Sequence, residues 1–142
     1  MSKSNAFEHD WLMLIFNGIP IPGLAKNDTT SPLTSLVVAL HTASPGEAGN
    51  QSTNEISYTG YARILITRQG GSGWVITGSN VSPASNINFG KMTGGIGGVA
   101  THASIGTGVS DYMLYHGTVS PTITVVAGKI PRLTPSSVLT ED

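Results

Sequence analysis

The sequence predicts a mainly β fold: an antiparallel two-sheet β-sandwich of the jelly-roll kind, with one short N-terminal helix. Three observations predict it. Charged residues make up only 11% of the chain, against roughly 25% in an average domain, so the Glu/Lys-rich surfaces of a helical protein are missing. The 18 glycines and 8 prolines imply many turns. After residue 35, short β-branched and aromatic runs recur with turn residues between them and no βαβ alternation. At 142 residues the chain is long enough to bury a core as one domain. It divides into an N-terminal helix and irregular connector over 1–34 and a β-sandwich over 35–142.

The helix is predicted over residues 5–17. Asn5 is placed to cap it, with Glu8 in the capping-box position and Asp10 near the positive end of the dipole. Phe7, Trp11, Leu14 and Ile15 share one apolar face. Asn17-Gly18 stops the helix, and Pro20 and Pro22 prevent its continuation. With few charges to face water, this helix should dock, on its own domain or on a neighbouring subunit.

Residues 18–34 form an irregular connector. The run at 36–40 is continuous and β-prone, as in a strand covered on both faces. Ser44-Pro45-Gly46 matches a type II turn. Residues 61–67 alternate, and the Gly70-Gly71-Ser72-Gly73 turn leads into a strand at 74–77. Further strands are predicted near 86–89, 99–105, 112–116, 122–126 and 129–133, with an edge strand at 138–140.

Composition and motifs exclude several classes of function. The net charge is −1 and the cations are scattered, so there is no footprint for nucleic acid or an anionic membrane. There is no cysteine, which rules out disulfides and thiolate metal sites. The apolar run 11–16 is too short to span a bilayer, and the acidic residues before it are unlike a secretory signal. Residues 95–100, "GIGGVA", match a dinucleotide pattern by letter, but strand and turn follow where the pyrophosphate needs a helix N-terminus. His9, His41, His102 and His116 show no helical ligand spacing, and no Ser-His-Asp order stands out. Glu47 and Glu55 flank a loop without signs of a pocket. The expectation is a protein with no catalytic, metal-binding or cofactor-binding residues.

The informative stretch is residues 40–66, "LHTASPGEAGNQSTNEISYTGYARILI". Its middle, 43–60, is a polar, glycine-rich loop, and loops of this length in compact domains are usually functional or disordered. Pro45, Tyr58 and Tyr61 anchor it, and its glycines let it bend. Two readings stand: an arm that docks on a neighbouring protein, or a loop folded back over its own sheet edge. Phe7 and Trp11 on the helix, with Pro45, Glu47, Asn50, Glu55 and Tyr58 on the loop, are the candidate partner-contact residues. Because the flanking strands carry their own apolar faces, the loop reads as dispensable to folding.

The pattern Leu40-His41-Thr42, then "PGEAG" at 45–49, "EISYTGYAR" at 55–63, "GWVITGSNVSPASNINF" at 73–89 and "THASIGT" at 101–107 resembles a family of small tailed-phage virion structural proteins. Members are often labelled phage tail fibre proteins. Size and composition also resemble capsid cement, or decoration, proteins, some of which are jelly rolls. The resemblance implies a structural protein with no catalytic motif, made in the bacterial host cytoplasm and carried on the virion. The first expectation is cement on the capsid exterior, self-associated as a homodimer and bridging subunits of the major capsid protein. The alternative is a receptor- or carbohydrate-binding module of the tail fibre. Neither involves nucleic acid or a membrane.

Overall fold

The computed structural model describes residues 4–20 and 33–140, apart from the side chains of Asn5 and Phe7. The class is the predicted one: mainly β and antiparallel, with one helix among the described residues. The strands fall into hydrogen-bonded sheets of four, three and two. The chain forms two compact units: residues 1–35 with 66–86 and 134–142, and residues 36–65 with 87–133. Most of the predicted connector, residues 21–32, lies outside the described residues.

The first unit is built on helix α1 (Asn5–Asn17). Its opening bond runs from Glu8 N to Ser4 O, at 3.0 Å. Asn5 is therefore already helical, and Ser4 takes the N-cap position expected of Asn5. The buried stripe is Glu8, Leu12 and Phe16 at i, i+4 and i+8, rotated from the expected face; Trp11 is 37% exposed and Leu14 and Ile15 are half-buried. Gly18, with φ of 66°, ends the helix in the left-handed conformation, its N–H bonding Leu14 O at 3.2 Å. The helix packs on the hairpin of β3 (Trp74–Thr77) and β4 (Asn80–Pro83). Phe16 meets Trp74 edge-on with centroids 4.9 Å apart, and His9 Nδ1 bonds Gly78 O at 2.8 Å. Of the two docking sites open to the helix, its own unit is one it occupies.

Arg68 completes this unit. Its guanidinium donates to Ile15 O at 2.7 Å and to Leu14 O and Leu33 O, each at 2.8 Å. A cation thus donates to two of the last carbonyls of the helix, at the negative end of its dipole. Strand β9 (Leu139–Thr140) pairs with β4, Val81 opposite Leu139. Strand β4 was missed from the sequence because Pro83 and the polar "SNVSP" resemble loop; its pairing with β3 supplies the order that propensity does not.

The second unit holds the four-stranded sheet, in the order β2-β1-β6-β7. Strand β1 is Ser35–His41, β2 Ile64–Thr67 (which leaves this unit at residue 66), β6 Gly98–Gly106 and β7 Met113–Val125. The two strands expected near 112–116 and 122–126 are one long edge strand. It stays in the ladder through an irregularity opposite Thr101, where β6 advances from Ala100 to His102 while its partners run from Ile123 to Thr118. Strands β5 (Ile87–Asn88) and β8 (Arg132–Leu133) form the two-stranded sheet.

Strand β1 is buried almost throughout, as its continuous apolar run predicted. The β1–β6 register sets Val37 opposite Gly106, Ala39 opposite Ser104 and His41 opposite His102. These residues share one sheet face, while Val38 and Leu40 lie on the other. Both faces of β1 are therefore covered, and what covers the Val37–Ala39–His41 face is the loop.

Candidate functional site

The loop between β1 and β2 pairs first with the edge of its own sheet. Thr42 N bonds Asn54 O and Ile56 N bonds Leu40 O, each at 2.9 Å, around an antiparallel bridge between His41 and Glu55. The loop then crosses the sheet face to the β6–β7 turn, where Gln51 N bonds Asp111 O at 3.0 Å. Of the two sequence readings, the fold-back describes this geometry. The Pro45 and Tyr58 side chains are buried. Tyr58 OH bonds Gly90 O at 2.8 Å, at a crossing where Gly60 and Gly90 lie too close for any Cβ.

Beneath the loop runs a directed chain of hydrogen bonds. Gln51, fully buried, donates from Nε2 to Val37 O at 3.0 Å and to Ser104 Oγ at 3.3 Å. Ser104 Oγ lies 2.7 Å from His41 Nε2, and His41 Nδ1 lies 2.9 Å from Thr53 O. A carbonyl only accepts, so Nδ1 carries a proton; in the neutral imidazole Nε2 then accepts from the serine. Burial pushes the His41 pKa below its ordinary value of 6.5, ahead of the opposing effects of Thr53 O and Glu55. Gln51 Oε1 has no partner. It lies against Gly106, where any Cβ would overlap Gln51 and Tyr112 O.

A second cluster ties the ends of the loop to that turn. Arg63 grips Glu55 with two parallel bonds, Nε to Oε1 at 2.8 Å and Nη2 to Oε2 at 2.7 Å. It also pairs with Asp111 through Nη1 and donates to Ser52 Oγ at 3.0 Å. Ser52 Oγ in turn donates to Asp111 Oδ2 at 2.7 Å. Tyr61 OH donates to Glu55 Oε1 at 2.9 Å and accepts from Leu40 N at 3.1 Å. The bonds from Arg63 and Ser52 hold the Asp111 carboxyl below its usual range. The bond to Glu55 raises the Arg63 pKa, and burial raises that of Tyr61.

This arrangement constrains the chemistry. Ser104 and His41 sit at the distance of a nucleophile and its base, but both are sealed under the loop, at 1% and 0% exposure. A backbone carbonyl, not a carboxylate, orients the histidine, and the serine also serves as acceptor for Gln51. The pair is a link in the fold. No cluster of metal-ligating side chains occurs among the described residues.

Of the candidate contact residues, Glu47 and Asn50 are exposed, and Asn50 Oδ1 holds the local turn through Ser52 N at 2.9 Å. Glu55 is half-buried in the Arg63 grip, Trp11 is partly exposed, and the Phe7 side chain lies outside the described residues. Sequence reasoning missed Gln51, Ser104, Gly106 and Asp111. In "EISYTGYAR" the alternation of Tyr61 and Arg63 was legible, but Glu55 reaches them only across the turn where Tyr61 N bonds Tyr58 O at 3.0 Å. Gln51 and Asp111 stand in turns and carry no periodic signal.

Among the described residues, the two polar clusters bond within the chain's own fold. The chain belongs to the family of the podophage GP4 fiber I protein gp80, whose family model matches residues 3–140. It is thus a bacteriophage virion protein of the fibre type. Comparison with curated proteins returns no match. The match supports the fibre reading over capsid cement, which had been the first expectation.

Proposed function

We propose that this chain is a structural component of a podophage tail fibre that works by protein–protein contact and catalyses no reaction. The observation that carries this reading is the fibre family match over residues 3–140. The sealing of the Ser104–His41 pair supports the absence of chemistry. Contacts with copies of itself and with other fibre subunits belong to the same proposal, as does the lack of any nucleic-acid or membrane partner. The low proportion of charge, 11%, suits surfaces that spend their life packed against protein.

Quantified gel bands of purified virions, with gold-labelled antibody imaged on the particle, test the proposal. A few copies per virion, with label on the tail, are expected. Hundreds of copies with label over the capsid shell return the function to cement. Binding of the purified chain to host surface glycans would make it a receptor-binding module within the fibre.

A further inference from the structure

The β1–β6–β7 register brings histidines together on the loop-covered face. His41 lies opposite His102, and Ser104, two residues along from His102, lies opposite His116. Side chains of residues paired in this way, or two apart on one strand, share a sheet face. His41, His102 and His116 thus flank Ser104, the middle link of the chain that holds the loop. Thr101 Oγ1 donates to Thr42 O at the root of the loop and lies 2.9 Å from His102 Nδ1. Its one proton is committed to Thr42, so His102 donates to it.

We propose that residues 42–56 form an acid-released flap: protonation on this histidine face reverses the Gln51–Ser104–His41–Thr53 chain and frees the loop from its sheet. The mechanism follows from counting donors. A second proton on His41, at Nε2, turns the one acceptor for the Ser104 hydroxyl into a donor. Ser104, 1% exposed, must then send its proton elsewhere. The unpartnered acceptor nearby is Gln51 Oε1. Using it requires the Gln51 amide to turn over, which points Oε1 at Val37 O, a second acceptor, and gives up the 3.0 Å bond there. The Gln51 amide packs directly on the Gly106 backbone, in the space a Cβ would take. Without that turn of the amide the Ser104 hydroxyl joins Gln51 Oε1 as a second unsatisfied buried group, and with it two acceptors face each other at Val37 O, whereas opening the loop hydrates them all.

The groups facing His41 set the range of the response. Burial, Arg63 and His102 oppose its charge; Thr53 O and Glu55 favour it. His102 on β6 and His116 on β7 stand on the same face, half-buried. Asp111 keeps its charge over this range because Arg63 and Ser52 hold its pKa low. The Arg63–Asp111 pair therefore stays formed while the histidine chain breaks, and the loop opens by releasing Ser52 and Glu55 from Arg63.

Hydrogen exchange on the full chain between pH 7.5 and 4.5 tests this, corrected for intrinsic rates. The amides of Thr42, Gln51 and Ile56 should lose at least tenfold in protection, while those of Val38 and Ile105 stay protected. His41 imidazole resonances should titrate with the same midpoint as the loop. His41→Gln removes the titrating group, and its loop protection should be flat across the range. If His41→Gln does not fold, the parent chain decides alone: titration of His41 without loss of loop protection overturns the proposal. Unchanged protection down to pH 4.5 also overturns it, as does an undiminished acid response in folded His41→Gln.

Discussion

Shortening the loop is the sharpest test of what the structure adds. From the sequence, replacing residues 46–57 by a tight turn should leave folding intact, since loop closure changes by only about 0.6 kcal/mol per twofold change in length. The structure expects the opposite. The deletion removes Ile56, 2% exposed in the core, and truncating such a side chain alone costs about 2–5 kcal/mol. It removes Gln51 and Thr53, and with them the bonds to Val37 O, Ser104 Oγ and His41 Nδ1, at about 0.5–1.5 kcal/mol each. It also strips Glu55 from Arg63 and uncovers one face of β1. The total, more than about 5 kcal/mol, is a large part of the roughly 5–15 kcal/mol that holds a domain folded. Urea unfolding followed by tryptophan fluorescence and circular dichroism is the assay. The shortened chain should be unfolded, or unfold at a far lower midpoint. Gln51→Ala and Ile56→Ala should each give a graded part of the loss. A shortened chain with the parent midpoint would refute the reasoning and make the buried loop contacts energetically idle.

Three further outcomes follow from the same geometry. Gly106→Ala should cost about 1–3 kcal/mol through overpacking against Gln51 and Tyr112, and less in a Gln51→Ala background; a double-mutant cycle in urea reads this coupling. Arg68→Met strips donors from Leu14 O, Ile15 O and Leu33 O and should destabilise the helical unit by about 2 kcal/mol, measured as exchange of the α1 amides, with β1 amides unchanged. Asp111 binds its proton less readily folded than unfolded, so its contribution is present above its ordinary value of 3.8 and is lost as pH falls through its lower folded value. Asp111→Asn should flatten that part of the stability–pH curve, with the parent steeper below 3.8.

What the sequence determined by itself was what local physics dictates. Turn residues between β-branched runs imposed an antiparallel β class, and the Asn17-Gly18 stop with the prolines beyond it bounded the helix. The unbroken apolar run of β1 required cover on both faces. The lack of cysteine excluded disulfides. Tertiary structure decided which face of α1 is buried, because Leu12 and Phe16 are chosen by the β3–β4 hairpin they meet and not by the helix alone. It decided that residues 113–125 are one strand, because the ladder to β6 carries the chain across its irregularity. It also decided the role of the loop. Cover for β1 was legible as a need, but Gln51 acquires its partners only when distant strands bring Val37, Ser104 and Gly106 beneath it. A one-dimensional pattern reports the periodicity of a segment; a hydrogen bond between residues 51 and 104 exists only once the intervening chain has folded.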